Sequence, residues 1–140
     1  MKLLALFSLL AAAYSQAPGS SVVYRHANEI EWKVSGSLPP GAEYHLIYED
    51  KATHALQTLV RFPPGYSLPP HSHTHDETLL IVKGKLVIDF GGQSSQTLAS
   101  GSYAVIPAGV LHSLKAKGEL VMMMAVNGPY DIQGLPSLKQ

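Results

Sequence analysis

Three histidines and two carboxylates stand close together in the middle of the chain, within residues 69–77. A divalent metal ion is bound by neutral imidazole nitrogens and carboxylate oxygens that converge at about 2.0–2.2 Å. In an extended chain the side chains at i and i+2 share a face, so His71 and His73 can share an ion. Glu77 can complete the set if residues 74–76 turn and Glu77 opens the next strand. The alternative is a solvated polar loop with its histidines at the surface.

His75 and Asp76 are the ambiguous members of this segment. A register that paired His73 with His75 would place Leu79 or Leu80 where the carboxylate belongs. We therefore assign His75 to the loop and Asp76 to turn formation. A role for His75 in supporting the metal ligands or in proton transfer is left open. The remaining histidines are isolated in the sequence and are predicted to be structural or exposed: His26, His45 and His54.

Three consecutive methionines, Met122, Met123 and Met124, have two interpretations. Thioethers are soft ligands that suit Cu(I). Their apolar neighbours instead favour a buried strand, in which Met122 and Met124 share one face because side chains alternate. We expect that face to line the interior of the domain together with Leu79, Ile81 and Leu114. Such a lining would favour an aromatic or aliphatic ligand over a sugar.

Short segments rich in β-branched and aromatic residues, separated by glycine and proline, make up most of the chain. This pattern predicts an all-β sandwich or barrel with no amphipathic helix after the first residues. Gly84 is predicted to sit at the tight corner of a hairpin between residues 77–82 and 85–90. The other predicted strands are residues 21–24, 30–34, 43–49, 55–62, 102–106, 112–117 and 119–126.

The composition fits one folded domain. The chain has 140 residues, of which 46% are hydrophobic and 14% charged, so it can bury a core and is not disordered. Lys plus Arg and Asp plus Glu both count 10 and no basic run stands out, so no nucleic-acid partner is expected. Without any cysteine, the domain must be stabilised by burial, by closure of its sheet or by a bound ion.

Residues 1–15 have the pattern of a secretory signal peptide. Lys2 precedes an apolar run over residues 3–13, and small residues follow at the expected cleavage site. The run is shorter than the roughly 20 residues that span a bilayer, so a secreted protein without a membrane anchor is expected. We divide the rest into a flexible leader (16–21), a barrel (22–128) and an irregular tail (129–140).

The histidine segment belongs to a longer pattern, Gly65-x5-His71-x-His73-x3-Glu77-x6-Gly84. This pattern resembles the first signature motif of the cupin superfamily at every fixed position. Sixteen residues later, Gly101-x5-Pro107-x-Gly109-x2-His112 resembles the second cupin motif. One position departs from the family, because Ala116 stands where an asparagine often follows. That asparagine is not a metal ligand in the family, so the departure bears on activities that depend on the amide.

The resemblance implies a single-domain jelly-roll barrel, also called a double-stranded β-helix. It also implies that the metal ligands are His71, His73, Glu77 and His112. Ligand type does not select the ion, so manganese, zinc, copper, iron and nickel all remain. His75 and Tyr103 are the candidate helpers in catalysis.

Two functions follow from such a site. One is a metalloenzyme acting on a small molecule such as an aromatic compound or organic acid, either as an oxygenase or as a non-redox lyase, decarboxylase or isomerase. The other is a non-catalytic secreted cupin that holds metal or ligand. A homodimer is one option for either. A sugar-binding sandwich is the weakest alternative, because the one tryptophan, Trp32, lies outside the motifs.

Overall fold

The computed structural model describes residues 21–135, which form eight strands and one short 3₁₀ turn, Ala27–Glu29. In this part of the chain no helix is long and apolar enough to cross a membrane. The all-β prediction is confirmed, whereas the predicted signal peptide lies outside the described residues. The strands are β1 (Lys33–Val34), β2 (Glu43–Glu49), β3 (Leu56–Phe62), β4 (Ser67–His71), β5 (Glu77–Asp89), β6 (Gln96–Ala99), β7 (Tyr103–Ile106) and β8 (His112–Val126).

The two longest strands, β5 and β8, run antiparallel and organise the barrel. The first half of β5 pairs with β7 and with the second half of β8, which continues through β3 to β2 and β1. The second half of β5 pairs with β6 and with the first half of β8, which also pairs with β4. Each long strand thus contributes to both faces of the barrel, which is a jelly-roll arrangement.

Gly84 lies within β5, so the predicted hairpin is wrong. Its φ is +88°, and a Cβ at this position would overlap the backbone carbonyl of Glu119 in β8. The register between β5 and β8 shifts on both sides of Lys83, as at a bulge. Gly118, with φ +77°, likewise lies inside β8, so the predicted break between residues 117 and 119 is also wrong. A glycine between apolar residues marks a turn or a bulge equally well.

Other strand predictions also need correction. Residues 21–24 form no strand, and the predicted strand at 30–34 shortens to Lys33–Val34. Two strands were missed, β4 and β6. β4 contains Pro69 and Pro70, which indicate a loop because proline cannot donate to a β-ladder. Within the described residues β4 pairs with β8 alone, so its prolines lie on an edge where no donor is needed.

The core lies between the two faces of the barrel. Side chains alternate along β5 and β8, so that every second residue is buried over most of their length. The face predicted to point inward is confirmed, since Met122, Met124 and Leu114 are buried with Leu79 and Ile81. The largest fully buried apolar side chains are Phe62, Leu79, Ile81, Leu86, Ile88, Ile106, Leu120, Met122 and Val126.

Candidate metal centre

Three histidines from separate stretches of backbone meet inside the barrel. His71 ends β4 and is the register partner of His112, which begins β8, so their ring centroids are 4.2 Å apart. The His73 ring lies 5.1 Å from that of His71 and 5.4 Å from that of His112. All three are buried, and one nitrogen from each lies within 4.8 Å of the others. The predicted shared face of His71 and His73 is therefore observed.

Glu77 completes the cluster from the first position of β5. Residues 74 and 75 form a bend that returns the chain, as the spacing required. The Oε2 atom of Glu77 is buried, 3.5 Å from Nε2 of His73 and 3.4 Å from Nε2 of His112. Glu77 thus lies beside two of the three converging histidines, His73 and His112.

Backbone carbonyls orient all three imidazole rings. Nδ1 of His71 donates to the Pro69 carbonyl at 2.7 Å, and Nδ1 of His112 donates to the Val110 carbonyl at 2.9 Å. Nδ1 of His73 donates in the same way to the carbonyl of Asp131. Because a carbonyl oxygen only accepts, these bonds assign the proton to Nδ1 and leave a lone pair on Nε2. This is the tautomer in which metal-binding histidines are usually held.

The donor atoms that face the centre fit a divalent ion. Within residues 21–135, three buried side-chain atoms have no hydrogen-bond partner: Nε2 of His73, Nε2 of His112 and Oε2 of Glu77. Leaving such an atom unsatisfied costs about 1–3 kcal/mol. Two atoms bound to one ion at about 2.1 Å lie roughly 3.0–3.4 Å apart for angles between 90° and 109°. The separations of 3.4 and 3.5 Å are close to that range.

The surroundings of the cluster favour the neutral form of His71. The pKa of His71 is lowered from 6.5 to about 4, chiefly by burial and also by His112 and His73, against the opposing effects of the Pro69 hydrogen bond and of Glu77. The His71 imidazole is therefore neutral near pH 7, and the neutral form is the one that binds metal. The cluster borders a void of about 10 Å³ whose other walls are apolar, which is room for a single water or ion.

The segment after β8 secures the centre, although it was predicted to be an irregular tail. The backbones of Ser72 and Gln133 exchange two hydrogen bonds, of 3.1 and 2.9 Å. The Oδ1 atom of Asp131 accepts bonds from the backbone N–H and the hydroxyl of Thr74, at 2.9 and 2.8 Å. The carbonyl of Asp131 also orients His73. The described part of this segment therefore belongs to the site.

We expect Asp131→Ala to weaken metal affinity about tenfold, because its carboxylate binds Thr74 and so helps to hold in place the carbonyl that orients His73, and loss of groups behind a ligand typically costs 10–100-fold. Asp131→Asn keeps an oxygen that can accept from Thr74, so its affinity should stay within about threefold of the wild type. Competition with a chromophoric chelator measures both. Equal affinities for the two variants would contradict the orienting role of this side chain.

A second pair of hydrogen bonds joins the two motifs. The N–H of Gly109 donates to the carbonyl of His73, and the N–H of Ala108 donates to Oδ1 of Asp76, both at 2.9 Å. Asp76 therefore stays out of the cluster and anchors the turn that leads to His112. These bonds add to the pairing of β4 with β8 and of β5 with β7 in bringing the second motif to the first.

The other singled-out residues lie away from the cluster. The ring of His75 packs against the backbone of Gly128, and its Nδ1 is 3.0 Å from the Thr74 hydroxyl. Tyr103 is 68% exposed on the outer face of β7, because alternation turns it away from Ala104 and Ile106. The remaining histidines are also elsewhere: His26 precedes the 3₁₀ turn, His45 contacts the Glu31 carbonyl, and His54 contacts Glu49.

Tyr130 is the neighbour of the cluster that the sequence did not reveal. Its ring centroid lies 5.5 Å from that of His73, and its side chain borders the void beside the histidines. Burial, and next the negative charge of Glu77, raise the pKa of its hydroxyl above the ordinary value. In the sequence Tyr130 is a single aromatic residue after Gly128 and Pro129. No repeating pattern of apolar residues there indicates which way its side chain points.

A jelly-roll barrel with this histidine triad defines a member of the cupin superfamily, and its fold and triad together support a metal-binding cupin. A family model described as the ChrR cupin-like domain matches residues 20–131. The chain belongs to this ChrR cupin-like domain family.

Comparisons with individual proteins agree with this assignment. The chain is 28% identical over 96 residues to the DNA damage-repair/toleration protein DRT102 of Arabidopsis thaliana, a match that covers 68% of the chain and 30% of that protein. The polyketide cyclase RemF from Streptomyces resistomycificus superposes with a TM-score of 0.68 at 16% identity, covering 84% and 89% of the two chains. The DMSP lyase DddQ from Ruegeria pomeroyi DSS-3 gives 0.61 at 17% identity, covering 73% and 58%. At these identities the structural likenesses establish the fold alone.

Proposed function

We propose that this protein is a metalloenzyme that holds one divalent ion on His71, His73, Glu77 and His112 and acts on a small molecule. The observation that carries the proposal is the set of buried donor atoms without partners, described above. Buried polar atoms are nearly always satisfied, so three around one point call for a ligand of their own. A water molecule would satisfy some of them, but a cation matches a set of lone pairs with no donor hydrogen among them.

The residues of the site define what chemistry it can support. A bound divalent ion would act there as a Lewis acid towards a substrate oxygen. The Glu77 carboxylate leaves one net positive charge, which favours an anionic or enolisable substrate. Carbonyl hydrogen bonds hold the three rings in place, and the apolar wall of Met122, Met124 and Leu114 limits the access of water.

For the reaction, the proposal names only a class of enzyme: an oxygenase, or a non-redox lyase, decarboxylase or isomerase. Support comes from the superfamily, since the structural relatives include a cyclase and a lyase. The donor set accepts manganese, zinc, copper, iron or nickel. Secretion through residues 1–15 is a further part of the proposal and is supported by the sequence pattern alone. Assembly as a homodimer stays an expectation.

Elemental analysis of purified protein, followed by oxygen-uptake and product assays with the native ion, tests the proposal. Aromatic compounds and small organic acids form the substrate panel, and protein stripped by chelation is the control. We expect about one ion per chain and a turnover that chelation abolishes. Metal without any turnover across the panel would favour a non-catalytic metal-holding cupin, and protein that acquires no ion would refute the site itself.

Chelation should also lower the melting temperature. A ligand that binds only the folded state stabilises it by about 4 kcal/mol when present at about 1,000 times its Kd. For a domain of this size we expect a fall of roughly 10–20 °C after metal removal. Calorimetry with and without chelator measures the effect, and re-addition of the native ion should restore it. An unchanged melting curve would argue against a tightly held ion.

A further inference from the structure

An apolar cavity of about 230 Å³ lies next to the metal centre, between the inner faces of β2 and β3 and the loop that precedes β2. Its apolar lining includes Leu46, Leu56, Val60 and Met124. The loop is held in place, because the Tyr66 hydroxyl donates to the Pro39 carbonyl at 2.8 Å and the Ser35 N–H donates to the Ala42 carbonyl at 3.0 Å. The cavity is therefore already formed without a ligand.

The cavity and the centre share part of their wall. Leu38, Val60, Met124 and Tyr130 line the 230 Å³ cavity and also border the small void beside the histidines. A molecule in the cavity thus has its inner end against the side chains that separate the cavity from the cluster, Tyr130 among them. Its outer end lies at a rim where Ser37 is exposed and Leu46 is 46% exposed.

No charged side chain lines the cavity within the described residues. Its polar side chains all carry hydroxyls: Ser35, Ser37, Tyr44, Thr58 and Tyr130. The hydroxyl of Thr58 is already engaged by backbone carbonyls of its own strand and of β2, and those of Ser35 and Ser37 lie 3.3 Å apart. The wall therefore offers no cation to pair with a phosphate or a second carboxylate. Burying such polar groups without partners would cost on the order of 1–3 kcal/mol each.

The volume limits the size of the ligand. An apolar cavity of about 150 Å³ takes up benzene, so about 230 Å³ suits one ring with a short substituent or an aliphatic molecule of similar size. Because the cavity is open at its rim, two fused rings with a further substituent would extend past the rim and bury a smaller share of their surface.

We propose that this cavity binds the body of the substrate, a compact and mostly apolar molecule whose single polar or anionic group points past Tyr130 towards the metal centre. The assignment of the polar group rests on the proposed metalloenzyme function, whereas binding of the apolar body does not. Tyr130 borders both spaces, and its hydroxyl can donate a hydrogen bond to that group.

Four probes test the proposal: benzoate, benzyl alcohol, acetate and 2-naphthoate. Binding is detected by the NMR shift of the Met124 methyl group, in metal-loaded and in chelated protein. Benzyl alcohol should shift Met124 in both forms, and benzoate should bind at least tenfold more tightly when metal is present. Acetate should leave Met124 unshifted, and 2-naphthoate should bind at least tenfold more weakly than benzoate.

Leu46→Trp should weaken benzoate and benzyl alcohol binding at least tenfold by filling the rim. Ser37 lies in the exposed loop on the other side of the rim, so Ser37→Trp should also weaken binding of both probes. It tests the cavity assignment if Leu46→Trp folds poorly. Ile47→Trp is the matched control, because its neighbouring position does not line the cavity, and its effect should stay within twofold.

If neither benzoate nor benzyl alcohol shifts Met124 in metal-loaded protein, the cavity assignment is wrong and the metalloenzyme proposal still stands. Protein that binds no metal but still takes up benzyl alcohol beside Met124 would refute the metalloenzyme proposal and support the cavity. Binding of 2-naphthoate as tight as that of benzoate would overturn the size limit.

Discussion

His73→Ala should lose most of the bound metal, whereas His75→Ala should retain nearly all of it. The His73 ring sits in the cluster with its Nε2 3.5 Å from the Glu77 carboxylate, whereas the His75 ring packs on the backbone of Gly128. Four protein ligands together supply about 10–16 kcal/mol for structural zinc, so removal of one should cost about 3 kcal/mol, or about 100-fold in affinity. Elemental analysis and chelator competition measure the two variants side by side.

The pair is well matched because the two histidines are separated by a single residue in the same loop. Melting of the chelated variants reports folding independently of metal, and both should remain cooperative. Equal metal losses in folded protein would mean that the cluster seen here is not the binding site.

Gly84→Ala should destabilise the domain by about 3–5 kcal/mol, a large share of the stability of an ordinary domain. A positive φ costs an L-residue roughly 1–2 kcal/mol by itself. The added Cβ would also overlap the carbonyl of Glu119, and because that atom is backbone of β8 it cannot rotate away. Urea denaturation monitored by circular dichroism gives the free energy of unfolding.

Gly101→Ala is the control for the conformational part of this effect. Gly101 has φ +86°, nearly the same as Gly84, yet nothing described lies within 4 Å of a Cβ built there. We expect a loss of about 1–2 kcal/mol for this variant. Similar losses at both positions would mean that φ alone, and not the approach of β8, requires glycine at residue 84.

Much of the centre could be predicted from the sequence because its features are local. The shared face of His71 and His73 follows from the two-residue repeat of an extended chain, and Glu77 needed only one turn to return. The inward face of Met122 and Met124 follows from the same alternation. His112 entered through the resemblance of the second motif, since no local pattern connects it to residues 71–77.

The errors also have physical causes. Gly84 and Gly118 were assigned to turns because a positive φ looks the same in a turn and in a bulge when the partner strand is unknown. Pro69 and Pro70 hid β4, because the sequence does not say that this strand lies at an edge.

The sequence by itself determined the fold class, the types of the donor side chains and the spacing that allows the first three to converge. Only the tertiary structure decided how the centre is enclosed. The carbonyl of Asp131 that orients His73 comes from 58 residues further along the chain, and Tyr130 joins the centre to the cavity from the same segment. Alternation and turn signals are properties of neighbouring residues, whereas such contacts depend on how the whole chain closes on itself.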